Sequence, residues 1–416
     1  MTIGPPSRTR RITMGVGVFA VLALAAACSS SNSGASGGST TAPSAGAPSA
    51  NAAVAAAAIK PVAKWPAIIP ITAVADLTGS AGGALSVQTV DGLKLGTQQV
   101  NSQLKGTQIN LSIQDSASSP STAAQVTTAA VASKAVAIVG PSLSNEAVAA
   151  APIAAKANVP YAGMQFSPTG VITAGTSTFD AVPATSPLEF LMGEYLQKLG
   201  GIKKVAIIYD SDVPTTVGLN STIKAFGPKY GFRVAKSVPV TLNQVDYTSV
   251  ATELASAGFD AIGIMAVQSQ NSTIAQQLQR AGFKGKLFSD VSACCGTLNV
   301  LGSSANGISW VSDFTKQMSG SAPAAFVKQW QAAYGTSLAP TAGAAEAYDL
   351  MLFLGQGIGQ APTPDRAGLL NGLTAVTQSG FTGAEGPVTF SDRSIVVKGV
   401  VIAWQNGKET LGLQGK

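Results

Sequence analysis

"VAIVGPSLSNEAVAAAPIAAKANVPYAG" (136–163) decides the fold. An apolar run ends at Gly140, Pro141 breaks it, and an alanine-rich helix begins near Ser144 or Asn145. A buried strand feeding straight into a helix is the start of a βαβ unit. The first N–H groups of such a helix have no partner inside it, and its dipole is positive there. Ser142 and Ser144 stand at that point. Either could cap the helix, or join its N–H groups in holding an anionic or carbonyl oxygen.

The same alternation extends in both directions. Residues 67–76, 109–115, 135–140, 205–210 and 259–267 read as strands, several of them apolar nearly throughout, as in parallel sheets covered on both faces. Helical stretches fall at 84–102, 120–133, 145–157, 187–199, 216–227, 247–257 and 270–281. The rhythm breaks at "DAVPATSP" (180–187) and a second series starts at 203. This predicts an α/β protein with two doubly wound lobes joined by several crossings, and a ligand at the carboxyl ends of the strands.

The first residues set the expected compartment. "RTRRITMGVGVFAVLALAAAC" (8–28) has a basic start, an apolar stretch and small residues before Cys28. It is short for a transmembrane helix, which needs roughly 20 apolar residues. Residues 1–27 are expected to be a lipoprotein signal peptide, with Cys28 the lipidated first residue of the mature chain. Residues 28–64, rich in Ser, Gly, Ala and Pro, then read as a flexible tether, about 30 Å long on average as a coil. Loss of Arg8, Arg10 and Arg11 takes three from 26 basic side chains, against 20 acidic ones. A mature charge near +3 with no basic run does not suggest nucleic acid.

Several chemistries lack their residues. The chain has no histidine, which removes Ser-His and Cys-His catalysis and imidazole metal sites. Ser221-Thr-Ile-Lys224 has S-x-x-K spacing, but no S-D-N or K-T-G accompanies it. "GQGIGQ" (355–360) lacks dinucleotide-site spacing and reads as helix-end or turn glycine. No enzyme, cofactor or metal is expected.

Further stretches carry a family resemblance. They are "DLTGSAGGALSVQTVDGLKLGTQQVN" (76–101), "QDSASSPSTAAQ" (114–125), 136–163, "GPVTFSD" (386–392) and "KGVVIAW" (398–404). Together they resemble the branched-chain amino-acid-type solute-binding proteins of ABC importers, lipoproteins with the type I periplasmic-binding-protein fold. The resemblance implies two Rossmann-like lobes with a multi-crossing hinge, an N-terminal one at 65–184 plus 313–391 and a C-terminal one at 185–312 plus 392–416. It implies ligand contacts from Thr78, Ser142, Ser144, Asn145, Gln165 and Gln268. Ser144 falls on the serine that holds a ligand carboxylate in such proteins.

Departures from that pattern bear on the ligand. Leu85 stands where an aromatic residue is usual, Met164 and Phe166 where small residues and threonine are usual, and Thr215 near a pocket tyrosine. Leu85, Met164 and Phe166 make either a more apolar pocket or ordinary core. The acid that pairs with a ligand ammonium falls on Val291, with Asp290 one position away. The expected ligand is therefore a small molecule bearing a carboxylate or amide, with a branched-chain or other amino acid as the alternative. The expected protein is an extracytoplasmic monomer, lipid-anchored to a bacterial cell membrane and serving an ABC permease. A surface sensor uncoupled from transport is the other reading.

Adjacent Cys294 and Cys295 lie beside that acid position. With Cys28 lipidated and the compartment oxidising, a disulfide between the two is expected over free thiols. It would close almost no loop and would shape one turn of the cleft wall.

Overall fold

The computed structural model describes residues 58–415 apart from Pro168, Gln268 and Cys295, and not the side chains of Ala84, Leu85 and Ser186. The expected signal peptide, Cys28 and most of the expected tether lie outside the described residues. The globular part begins earlier than 65. Ile59 is buried in the first core, its N–H bonded to Gln103 Oε1 (2.9 Å), and Trp65 donates its indole N–H to Ile358 O (3.2 Å). The tether expected to run to 64 therefore ends before Ile59, because these apolar side chains have a core to enter.

The first sheet is laid down by β1 (Ile68–Ala75), α1 (Ala84–Gln103), β2 (Gln108–Asp115), α2 (Pro120–Ala132), β3 (Ala137–Val139), α3 (Ser144–Lys156), β4 (Tyr161–Gly163) and β5 (Thr178–Asp180). The chain then enters a second series: α4 (Thr185–Leu199), β6 (Lys204–Asp210), α5 (Pro214–Phe226), β7 (Arg233–Val240), α6 (Thr248–Ser256), β8 (Ala261–Met265), α7 (Ser269–Arg280), β9 (Lys286–Ser289) and β10 (Ser309–Ser312). It returns for α8 (Ser321–Tyr334), α9 (Ala342–Gln360), α10 (Arg366–Ser379), β11 (Phe381–Gly383), β12 (Gly386–Ser391) and β13 (Ser394–Val396). It ends with β14 (Val400–Gln405) and β15 (Lys408–Gln414) in the second sheet.

The sheets run β11-β12-β13-β5-β4-β3-β1-β2 and β15-β14-β10-β9-β8-β6-β7. In each, the first five strands are parallel in the order 2-1-3-4-5; β14 and β15 extend the second sheet antiparallel, whereas β13 joins β5 parallel and β12 and β11 follow it antiparallel. The order reverses between β1 and β3, and again between β6 and β8. Helices leave opposite faces of the sheet at such a point and open a crevice at the strands' carboxyl ends. The chain passes between sheets at 181–184, 313–320 and 397–399. The last crossing was expected at 391–392. It falls one strand later, because Ser394–Val396 pairs with β12 and with β5 of the first sheet.

Helix α9 is the central buttress of the first lobe and is buried along nearly all its length. Helix α1 lies against it through Gly92 and Gly96, where a Cβ would stand 2.3 Å from Ala344 O and 2.8 Å from Tyr348 O. The G-x-x-L-G segment is thus a close helix contact. "GQGIGQ" forms the last six residues of α9, and there Gly357 abuts Leu373 of α10. Ser221 and Lys224 lie exposed on α5, where the Ser221 hydroxyl donates to Val217 O (3.2 Å).

Candidate functional site

Both reversal points open onto one cleft with about 800 Å³ of empty space, its solvent-open mouth included. It is lined from the strand ends by Asp76, Ser142 and Phe166 of the first lobe and by Ala266, Val267 and Asp290 of the second. Helix α9 adds Glu346. Helices α3, α5 and α9 all begin at the cleft and turn their positive ends toward it.

At the start of α3 the backbone turns at Gly140, whose φ of 75° favours glycine and whose missing Cβ would lie 2.1 Å from Val74 O. This turn brings Ser142 to Asp76, and the Ser142 N–H donates to Asp76 Oδ2 (3.2 Å). Ser116 donates its hydroxyl to Asp76 Oδ1 (3.2 Å). Glu146, one turn into α3, is buried beside Asp76. Burial first, then the hydrogen bond and charge of Asp76, push the Glu146 carboxyl up to about 10. The Glu146 carboxyl therefore keeps its proton at neutral pH. Neither serine caps the helix: the cap position is Leu143, which makes no side-chain cap bond.

Ser144 instead reaches across the cleft. Its hydroxyl is hydrogen-bonded to that of Thr215, on the first turn of α5. Beside it, Ala81 and Leu143 of the first lobe pack on Val213 and Val267 of the second in one small apolar cluster. These contacts join the lobes along one edge of the cleft.

The opposite corner follows β9. Asp290 caps a short 3-10 turn, accepting the N–H of Ser292 (3.2 Å) and its hydroxyl. Asn271 fastens that turn to β8 by donating to Ser292 Oγ (2.8 Å) and Ala266 O (2.7 Å). Burial pushes Asp290 up to about 6, against the lowering effect of the Ser292 bonds. Glu189 of α4 is raised well above its ordinary range by burial and then by the charge of Asp290. Cys294 lines the cleft on the same turn and is disulfide-bonded. Its neighbour Cys295 is outside the described residues.

Glu346 supplies the third carboxyl. It is buried with Asp313, Asp349 and Glu385, where burial first and mutual charge second raise it well above the usual range. Its Oε1 has no hydrogen-bond partner. Asp313 stands on the crossing segment 313–320, so this acid cluster lies at the hinge.

Five expected site residues meet at the cleft: Ser142, Ser144, Phe166, Thr215 and Asp290. The others do not. Thr78 is exposed in a turn, its hydroxyl bonded to Asp115 Oδ2 (2.6 Å). Asn145 turns its Oδ1 back onto the Glu146 N–H (2.9 Å). Gln165 is buried against Asp180 Oδ1 (2.9 Å), and Met164 is core behind the wall. The Leu85 side chain and Gln268 are not described. Val291 lines the cleft, and so does Asp290 one position before it. The sequence reading missed Asp76 and Glu346. Asp76 was marked only by ending an apolar strand, and Glu346 only by being an acid within an apolar helix.

Two α/β lobes with a shared cleft at both reversal points define a two-lobed ligand-binding protein. A family model described as periplasmic binding protein matches residues 68–408, and the chain belongs to that family. Among solved structures, a leucine-binding protein LivK from Thermotoga maritima is similar at 22% identity and a TM-score of 0.76, over 83% of this chain and 98% of that one. LivJ from Streptococcus pneumoniae, in complex with isoleucine, is 22% identical with a TM-score of 0.75, over 83% of this chain and 99% of the other. A solute-binding protein from R. palustris in complex with benzoate is 20% identical with a TM-score of 0.73, over 84% and 97%. These likenesses establish the fold. A comparison with curated proteins gives no match. Among the described residues no helix is long and apolar enough to cross a membrane.

Proposed function

We propose that this protein captures a small solute between its lobes outside the cytoplasm and delivers it to an ABC importer. Lipid at Cys28 would hold it to the membrane, as a monomer on its tether. The observation that carries the reading is the Ser144–Thr215 bond across a cleft to which both sheets contribute at their reversal points. Contacts made only when the lobes meet are what couple ligand capture to closure.

The test is to purify the protein without denaturant, release its contents by denaturation, and identify any solute by mass spectrometry. A single stoichiometric small molecule supports the reading; a protein that neither carries nor closes on any solute, by small-angle scattering across a metabolite panel, refutes it. Cys28→Ala should move the protein from the membrane fraction to the soluble one. An unchanged distribution rejects the anchor.

A further inference from the structure

Every ionisable side chain lining the cleft is acidic: Asp76 and Glu346 from the first lobe, Asp290 from the second. No lysine or arginine is among them, and the chain has no histidine. A ligand carboxylate needs donors, and several around the start of α3 already serve protein partners. The Ser142 N–H goes to Asp76, the Glu146 N–H to Asn145 Oδ1, and the Ser144 hydroxyl pairs with Thr215. Asp76 thus already occupies the Ser142 N–H at this helix end, and a ligand carboxylate there would compete with it for that donor.

The rest of the cleft asks for the opposite charge. Glu346 is 3% exposed, and its Oε1 has no partner. Asp290, also 3% exposed, faces the same space from the other lobe. Neither belongs to an ion pair within the protein; the salt bridges among the described residues are Lys94–Asp91, Lys236–Glu253 and Arg393–Asp392. Burial without countercharge favours the protonated form of both carboxyls, and a ligand cation beside them draws them into the charged form at the moment of binding. Between the acids the walls are apolar, formed by Leu143, Val213, Val267 and the ring of Phe166, and an aromatic wall suits an organic cation.

Resting on the reading of this cleft as a solute site, we infer that its ligand is a compact organic cation, an ammonium group on an apolar body without a carboxylate. Asp290 and Glu346 are its charge partners, one from each lobe, so the cation also ties the lobes together.

Isothermal titration and thermal melting of the purified chain test this with four probes: 2-phenylethylammonium chloride, choline chloride, sodium benzoate and L-leucine. At least one of the two cations should bind and raise the melting temperature, while benzoate and leucine should not. Asp290→Asn and Glu346→Gln should each weaken the cation roughly tenfold or more, with unliganded melting as the check that both variants fold. Binding of leucine or benzoate as strong as that of the cations overturns the inference and leaves solute capture standing. Failure of both cations overturns it too, and the released-solute experiment then judges solute capture separately. Unchanged cation affinity in both variants refutes the assigned partners.

Discussion

The hydroxyl of Ser144 on α3 meets that of Thr215 on α5, so the first turns of two helices in different lobes are joined by one side-chain bond across the cleft. A neutral hydrogen bond contributes about 0.5–1.5 kcal/mol net. Thr215→Val keeps the shape and removes the bond. Its apparent affinity for ligand should fall roughly two- to tenfold, as the closed form becomes less populated. Small-angle scattering of the unliganded variant should show a larger radius of gyration. Ser144→Ala should behave alike, and the double variant should lose little more than either single one, since all three lack the same bond. Additive losses would show that the two hydroxyls act apart.

Gly140 sets the turn that carries Ser142 to Asp76. Alanine there would meet both a left-handed φ of 75° and the Val74 carbonyl at 2.1 Å. Gly106 has the same φ of 75° with nothing within 4 Å. The two positions separate backbone preference from contact. Gly106→Ala should cost about 1 kcal/mol, the left-handed penalty alone. Gly140→Ala should cost at least about 2 kcal/mol in urea unfolding and weaken ligand binding. Equal costs at both sites would mean the β3–α3 turn has slack the structure does not show.

How much of this was legible followed from physics that differs element by element. β1, β3, β6 and β8 were visible because strands covered on both faces are apolar throughout. β7, "RVAKSVPV", forms a sheet edge and is half solvated, so its polar residues hid it. β4, β5 and β9 have only three or four residues and, unlike β3 within "AVAIVG", no extended apolar run around them. In the site, Ser144 and Thr215 could be named from their places after strands, but their pairing is a tertiary fact between residues 71 apart. Glu346 escaped because, Gly343 aside, it is far in sequence from every other cleft residue. An acid among "AGAAEAYDLMLFL" has no reason to be there for helix formation, and that contradiction was the available signal.

Cys294 is disulfide-bonded, 6% exposed and part of the cleft wall. With Cys28 assigned to lipid, the proposed partner is Cys295. Native, unreduced protein should give no alkylation at either position, and two alkyl groups after reduction. Because adjacent cysteines close almost no loop, reduction should barely move the melting temperature, while ligand affinity should change with the shape of the 290–294 turn. Two thiols alkylated without reductant would remove the disulfide. A large fall in melting temperature would show that it does more than shape the wall.

The buried acids make a prediction about pH whose sign is unusual. Asp313 on the hinge, Glu346 and Asp349 on α9 and Glu385 between β11 and β12 are buried together, and none is in a salt bridge. Burial raises Asp349 to about 7, against the hydrogen bonds it accepts from the Ala384 and Glu385 N–H groups, and raises Asp290 to about 6. A carboxyl whose folded value lies above its ordinary one holds a proton that the unfolded chain gives up, so folding weakens as pH rises through that interval. Asp115, Asp246, Asp260 and Asp365 are lowered and act in the other direction, but only below the ordinary carboxylate range. Between pH 5 and 8 the unliganded protein should therefore melt at progressively lower temperature. Asp349→Asn, which mimics the protonated side chain, should flatten that slope. Ligand binding should run oppositely for a cation: Asp290, faced by Glu189 from α4, is protonated at pH 5 and charged at pH 8, so affinity rises as stability falls. Melting curves and titrations at the same three or four pH values check both slopes. A melting temperature that climbs with pH would mean that the hinge carboxyls are charged in the folded state and find partners in solution.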